Sequence, residues 1–119
     1  MKTFTNCVFN YCKKGEVEGT VAYKLYFDFI NEDDKEDTKS AVINGEFRYS
    51  PLVSTDEDLV LFNVEVDETT VPWTVTKITL VGDETSTDIL EAQRKAIEER
   101  EKKQIARFAM LRKAIGGNK

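Results

Sequence analysis

The chain has 119 residues, of which 40% are hydrophobic and 33% are charged, so it fits a single folded domain over 1–119. Its formal net charge is −5, and it contains two cysteines and no histidine. The absence of histidine removes the usual general base near neutral pH and the commonest metal ligand. We therefore expect no catalytic residues, no bound metal and no cofactor.

The charge is unevenly divided along the chain. Residues 1–84 hold 17 acidic and 8 basic side chains, whereas residues 85–119 hold 5 and 9. An acidic body is complementary to a basic groove on another protein, and a basic segment is complementary to phosphates. The acidic run 31–37 lacks the spacing and the glycine of a calcium-binding loop, so we interpret it as a solvated hairpin loop.

The first 82 residues are predicted to form five strands. The pattern is clearest over 20–30, where one face carries Val21, Tyr23, Leu25, Phe27 and Phe29. Such alternation predicts a half-buried antiparallel strand. The other strands are expected near 3–12, 40–49, 58–66 and 73–82, with a turn at 13–16 and a bulge at Gly45. Because no helix separates the strands, we expect a mostly antiparallel sheet, either a meander or a small barrel.

The two cysteines lie in the first predicted strand. Their odd separation places Cys7 and Cys12 on opposite faces of a regular strand, so we expect two free, reduced thiols. One face is expected to carry Cys7, Phe9 and Tyr11, and the other Phe4 and Val8. The N-terminal residues lack the apolar stretch of a signal peptide, and no apolar run approaches the roughly 20 residues of a membrane helix. We therefore expect a cytoplasmic protein, in the host cytoplasm if it is viral, with no membrane contact.

The hydrophobic period changes after residue 82. Asp88, followed three residues later by Glu91, resembles a capping box, and neither glycine nor proline interrupts the chain before Gly116. These signals predict one helix over 88–115. A helix of that length spans roughly 40 Å, which is more than one small sheet can cover. The predicted fold class is therefore α+β, with a five-stranded sheet followed by one long C-terminal helix.

The predicted helix is apolar at its two ends and charged between them. Leu90, Ile97, Gln104 and Leu111 recur every seven residues, whereas 98–104 contains no apolar side chain. We expect the first half to pack on the sheet and the second half to pack on another chain, most simply as a homodimer with antiparallel helices, or as a higher homo-oligomer. The expected interaction residues are Ile97, Gln104, Ile105, Phe108, Leu111 and Ile115. The alternative is a helix that bends near 100–104 and folds back onto its own sheet.

Nucleic-acid binding is a second interpretation of the same residues. The aromatic side chains of Tyr11, Tyr26, Tyr49 and Trp73 are suited to a stacking platform of the kind that OB-folds offer to single strands. The helix adds basic residues, although pairs such as Glu98–Lys102 also explain its charge pattern. The expected nucleic-acid or nucleotide contacts are Tyr26, Trp73, Arg100, Lys103 and Arg107.

The leading functional hypothesis from the sequence is a non-enzymatic protein-interaction module. A short, acidic chain without histidine or an enzyme motif is typical of the accessory or inhibitory proteins that bacteriophages and mobile elements encode. Such a protein would bind a host protein. The alternative hypothesis is binding of single-stranded nucleic acid or a nucleotide through an aromatic sheet face and the basic helix.

Overall fold

A computed structural model describes residues 1–82 and 88–116 of the chain. Within these residues, five strands are followed by one long helix, so the predicted α+β class is confirmed. The elements are β1 (Lys2–Val17), β2 (Thr20–Ile30), β3 (Glu36–Asn44), a 3₁₀ turn (Ser50–Leu52), β4 (Phe62–Asp67), β5 (Thr74–Leu80) and α1 (Ile89–Gly116).

The strands close into a barrel in the order β1-β2-β3-β5-β4. Four of the five neighbouring pairs are antiparallel, and the fifth joins β3 to β5 in parallel at Val42 and Thr74. The order of β5 and β4 is inverted relative to the chain, which excludes a simple meander. The small barrel, one of the two predicted arrangements, is therefore the one that forms.

The barrel interior is filled by alternating strand residues. Tyr23, Leu25 and Phe27 of β2 point inward as predicted, and β4 contributes Phe62, Val64 and Val66 from the opposite wall. A five-stranded barrel is narrow enough for such side chains to fill it without a central pore. The hydrophobic core of the molecule therefore lies inside the barrel.

The first hairpin differs from the sequence prediction. Residues 13–16 do not form the turn, because β1 continues to Val17 and pairs it with Thr20. The turn consists of Glu18 and Gly19, whose φ angles of 52° and 78° are both positive. Two such residues form the type I′ turn that the twist of a hairpin favours, and glycine adopts this conformation without a steric penalty.

The boundaries of β3 and β4 also differ from those predicted. β3 covers Glu36–Asn44 rather than 40–49, and Gly45, with φ 91°, ends the strand instead of forming a bulge. Its N–H donates to the Val21 carbonyl at 2.8 Å. β4 begins at Phe62 rather than at 58, because Val60 bonds to the Ser54 hydroxyl within the preceding loop. β5 is shorter at both ends than the predicted 73–82.

Two bulges in β1 overturn the prediction that the cysteines face opposite sides. The register shifts between Phe4 and Cys7 and again between Phe9 and Tyr11. Each bulge adds one residue to β1, so Phe4, Cys7 and Cys12 all pack against the core, while Tyr11 points outward. Both thiols are free. Burial raises the pKa of Cys7 to about 12 and that of Cys12 to about 11.

The first turns of α1 are fixed to the barrel. The Asp88 carboxylate accepts the N–H of Leu90 at 3.1 Å, as an N-cap does, and the N–H of Ile78 in β5 at 3.1 Å. Leu90 is 3% exposed. Gln93 exchanges two hydrogen bonds of 2.9 Å with the backbone of Arg48. Glu91 pairs with Lys95 at 3.1 Å.

The remainder of α1 projects from the barrel. Residues 98–116 are exposed throughout, and the helix continues without interruption through 100–104, so the alternative in which it folds back onto the sheet is wrong. The radius of gyration is 18.7 Å, whereas a compact chain of this length has about 13.5 Å. In the described part of the chain, no helix is long and apolar enough to cross a membrane.

Candidate functional sites on the barrel and the helix

The outer face of the first hairpin carries two pairs of side chains that the Glu18–Gly19 turn brings into register. Tyr11 lies opposite Tyr26, with ring centres 6.0 Å apart, and Lys13 lies opposite Lys24. The Lys24 Nζ is 5.3 Å from the centre of the Tyr26 ring, within cation–π range. We call these four residues the outer face. An aromatic pair therefore lies beside a pair of lysines, about 7 Å further along the strands.

An open cleft of about 490 Å³ adjoins the outer face at Tyr26. Its lining consists of Tyr26, Thr38, Lys39, Ser40, Val71, Pro72 and Trp73. The loop between β4 and β5 brings Trp73 to β3, where the Val42 N–H donates to the Trp73 carbonyl at 2.8 Å. The Trp73 ring stacks on Phe4 of the core with a centroid distance of 5.9 Å. The indole is thus held in position from the interior while it also lines the cleft.

An acidic residue borders the outer face on the side away from the lysines. Asp28 follows Tyr26 by two residues on the same face of β2. Its carboxylate accepts hydrogen bonds from Asn10 Nδ2 at 2.9 and 3.2 Å and from Thr38 Oγ1 at 2.6 Å. Along the strands, the positive charges of Lys13 and Lys24 are therefore followed by the two tyrosine rings and then by the Asp28 carboxylate. Side chains of the protein itself stabilise that carboxylate by hydrogen bonds.

A second candidate site is the helix tip, which we define as residues 104–116. Gln104, Phe108, Leu111 and Ile115 follow one another at intervals of four, three and four residues, which places them on one side of the helix. Phe108 is 53% exposed, Leu111 51% and Ile115 71%. Scattered apolar residues on a surface are normal, but a contiguous apolar patch marks an interaction site.

The helix base, residues 89–97, forms one wall of a groove against the loop after β3. The groove has a volume of about 460 Å³ and is lined by Glu46, Phe47, Arg48, Gln93, Ala96, Ile97 and Arg100. Ile97 is half-buried, and Phe47 is 3% exposed. The apolar side of the base is therefore only partly covered by the barrel.

The structure divides the predicted nucleic-acid contacts between these surfaces. Tyr26 and Trp73 lie together in the cleft, whereas Arg100, Lys103 and Arg107 lie on the exposed part of α1, and none of the three lines that cleft. The predicted interaction residues other than Ile97, namely Gln104, Ile105, Phe108, Leu111 and Ile115, are exposed on the tip.

Sequence reasoning missed two lysines of the outer face and misplaced one aromatic ring. Tyr49 stacks on Phe9 at 5.3 Å and is not part of the outer face. Lys13 and Lys24 were not predicted as nucleic-acid contacts, because a turn at 13–16 takes Lys13 out of the strand and so removes its pairing with Lys24. The dipeptide Glu18–Gly19 was the available signal, since a two-residue turn there fixes the register of the whole hairpin.

Within residues 1–82 and 88–116, no group of three or more acidic or cysteine side chains could hold a metal ion. No protein-family model matches the chain, and no curated protein or solved structure is significantly similar to it. The outer face, the cleft and the helix are therefore the features of the molecule that point to a function.

Proposed function

We propose that the chain binds single-stranded nucleic acid on the outer face and in the cleft beside it. The supporting observation is that Tyr11 and Tyr26 lie between a pair of lysines and the Trp73 cleft. Unpaired bases stack on exposed aromatic rings, and lysines contact the phosphates that connect those bases. This was the alternative hypothesis from the sequence, and the closed barrel is the reason that we now place it first.

The barrel connectivity supports this proposal by analogy of fold. A five-stranded Greek-key barrel in the order β1-β2-β3-β5-β4 has the connectivity of the OB-fold, whose second and third strands and adjoining loops bind oligonucleotides. Here Tyr26 lies on β2, Ser40 on β3, and Trp73 in the loop between β4 and β5. The analogy concerns architecture alone, so the proposal depends on the side chains at this face.

Because the rest of the barrel is acidic, we expect nucleic acid to bind only along a narrow part of its surface. The chain carries a net charge of −5, which disfavours nonspecific attachment to a polyanion. Lys13, Lys24 and Lys39 supply positive charge at the outer face and the cleft. We therefore expect modest affinity that falls with salt, with a slope of about 0.7 for each phosphate that a lysine neutralises.

Fluorescence of Trp73, the single tryptophan of the chain, tests this proposal directly. Titration with an oligothymidylate at low salt is expected to quench the emission, whereas a duplex of equal length is not, because its bases are already stacked. Tyr26→Ala is expected to weaken binding by about 1–3 kcal/mol. Tyr49→Ala is the matched control, because its ring stacks on Phe9 instead. Equal affinity for duplex, or a loss no greater in Tyr26→Ala than in Tyr49→Ala, would contradict the proposal.

We propose a second function for α1, as a protein-binding element, which was the leading hypothesis from the sequence. The supporting observation is the apolar side of the tip, where Phe108 and Leu111 are about half exposed. On this proposal the chain is a non-enzymatic accessory or inhibitory protein of the phage type. Two free thiols suit the reducing cytoplasm. Leu111→Asp is expected to abolish cross-linking of the chain to any protein partner, with Ala106→Asp as control, because Ala106 is exposed on the side of the helix away from Leu111.

A further inference from the structure

We infer that the tip of α1 binds the base of α1 in a second copy of the chain, so that two helices pair antiparallel. This inference rests on the second function proposed above, that α1 is a protein-binding element. It specifies the partner, the direction of pairing and the segment that each half of the helix contacts.

The apolar surfaces of the tip and the base complement each other. Leu111 and Ile115 lie on the same side of the helix as Ile97, because they follow it by 14 and 18 residues, about four and five helical turns. In the antiparallel arrangement, Ile115 of one copy covers the half-buried Ile97 of the second and enters the groove beside Phe47. A single copy leaves both of these apolar surfaces uncovered.

The charges select the antiparallel direction. The tip carries Arg107, Arg112 and Lys113 and no acidic residue, so pairing two tips alone places like charges together. The segment 98–103, immediately after the base, carries three acidic and three basic side chains. When Ile115 of one copy lies opposite Ile97 of the second, Arg112 of the first copy lies beside Glu101 of the second, on the same side of the helix pair. In a parallel pair, each charged residue would lie opposite the same residue of the second copy, so that like charges would meet.

The overlap covers the exposed length of α1. Residues 97–115 span roughly 28 Å of helix, and one side of that length carries Phe108, Leu111 and Ile115. Within the described residues, α1 packs mainly on β5, which is not a neighbour of β2 in the barrel. The outer face on β1 and β2 is therefore not covered by the helix of its own chain.

Charge reversal tests the pairing. Sedimentation equilibrium is expected to show a dimer for the intact chain, and each of Glu101→Arg and Arg112→Glu is expected to weaken dimerisation about tenfold through like-charge contacts. The double variant restores the opposite charges and is expected to restore dimerisation. Both positions are exposed, so the fold is preserved. Two single losses without rescue would overturn the antiparallel arrangement.

Disulfide trapping tests the direction independently. A mixture of Glu101→Cys and Arg112→Cys chains is expected to form the mixed disulfide in preference to either symmetric one, whereas parallel pairing would give the symmetric products. Cys7 and Cys12 pack against the core and are poor competitors.

A chain that stays monomeric at every concentration overturns the self-pairing. If a Leu111-dependent partner is still cross-linked to that monomer, the protein-binding function stands and only the identity of its partner is wrong. If neither a dimer nor a partner is found, both proposals fail together. The Trp73 titration with oligothymidylate is unaffected by Leu111→Asp in either case, because that residue is not part of the cleft.

Discussion

The barrel and the helix place their apolar side chains in opposite environments. Of the buried hydrophobic residues in the described chain, Leu90 is the only one on α1, and the others belong to the barrel strands and their loops. The exposed large hydrophobic residues include five from the helix tip: Ile105, Phe108, Met110, Leu111 and Ile115. Residues of similar size therefore stabilise the fold in one region and are available for contacts with another molecule in the other.

This difference indicates which region the fold requires. A helix in a protein gains most of its stability from packing its apolar face. A single helix of about 20 residues that is exposed on all sides is only marginally stable on propensity alone. Residues 98–116 have the exposed surface of such a helix, although Ala, Arg, Lys and Glu favour helix formation there. The barrel therefore provides most of the stability of the chain, and residues 98–116 form an attached element that does not pack on it.

The largest expected effect compares two phenylalanines, one in each region. Phe27 is fully buried in the barrel, whereas Phe108 is 53% exposed on the tip. Phe27→Ala is expected to lower the free energy of unfolding by about 3–5 kcal/mol, because it removes the ring and leaves a cavity. Phe108→Ala in the dilute monomer is expected to change it by less than about 0.5 kcal/mol. Urea denaturation followed by Trp73 emission measures both, and equal losses would show that the tip belongs to the core.

The features of the fold that the sequence predicts are those that depend on local patterns. The alternation of Tyr23, Leu25 and Phe27 predicts the inner face of β2, and the uninterrupted stretch from Asp88 to Gly116 predicts the helix. Both patterns are strong because each period is repeated several times without an exception.

The features that the sequence does not predict depend on pairing between distant segments. Residues 13–16 and Glu18–Gly19 are both plausible turns, and only the partner strands decide between them. The first bulge in β1 depends on β4, because the Asn6 N–H donates to Asn63 Oδ1 at 3.1 Å. Tyr26 and Trp73 were predicted as nucleic-acid contacts from residue type alone. The position of Lys13 beside Tyr26 depends on the register of the hairpin, which the residue type does not give.

The second prediction concerns alkaline pH and a buried thiol of the barrel. Burial raises the pKa of Cys7 from its ordinary value of 9.0 to about 12. The unfolded chain therefore loses this proton before the folded chain does. Stability from the neutral thiol is complete below pH 9 and declines as the pH rises towards 12, by at most about 1.4 kcal/mol per pH unit.

Cys7→Ala provides the comparison for this prediction. The variant is less stable at neutral pH because of its cavity, but its stability is expected to fall less between pH 9 and pH 10.5 than that of the unchanged chain. Thermal unfolding at a series of pH values measures the two slopes. Identical slopes would show that Cys7 is not desolvated in the folded barrel.

The third prediction concerns the junction of the two regions. The Asp88 carboxylate accepts N–H groups from both α1 and β5, so Asp88→Ala leaves the amides of Leu90 and Ile78 without this partner. The expected cost is about 1–2 kcal/mol. Asp88→Asn retains an oxygen acceptor and is expected to lose only a few tenths of a kcal/mol. Chemical denaturation distinguishes the two, and an equally large loss in Asp88→Asn would mean that charge rather than hydrogen bonding anchors the helix.

The smallest expected effect follows from removing the exposed helix altogether. A chain ending at Ile97 retains Asp88, Leu90 and Gln93, which hold the helix base to the barrel. At high dilution its free energy of unfolding is expected to lie within about 0.5 kcal/mol of the full chain, because residues 98–116 bury no side chain. At high concentration the full chain is expected to become the more stable of the two, since dimerisation through α1 stabilises the folded state by mass action. Denaturation of both chains over a wide range of protein concentration measures this divergence. A difference that is large at every concentration would show that residues 98–116 support the barrel directly, and the separation of the molecule into a stable barrel and an attached binding helix would then be wrong.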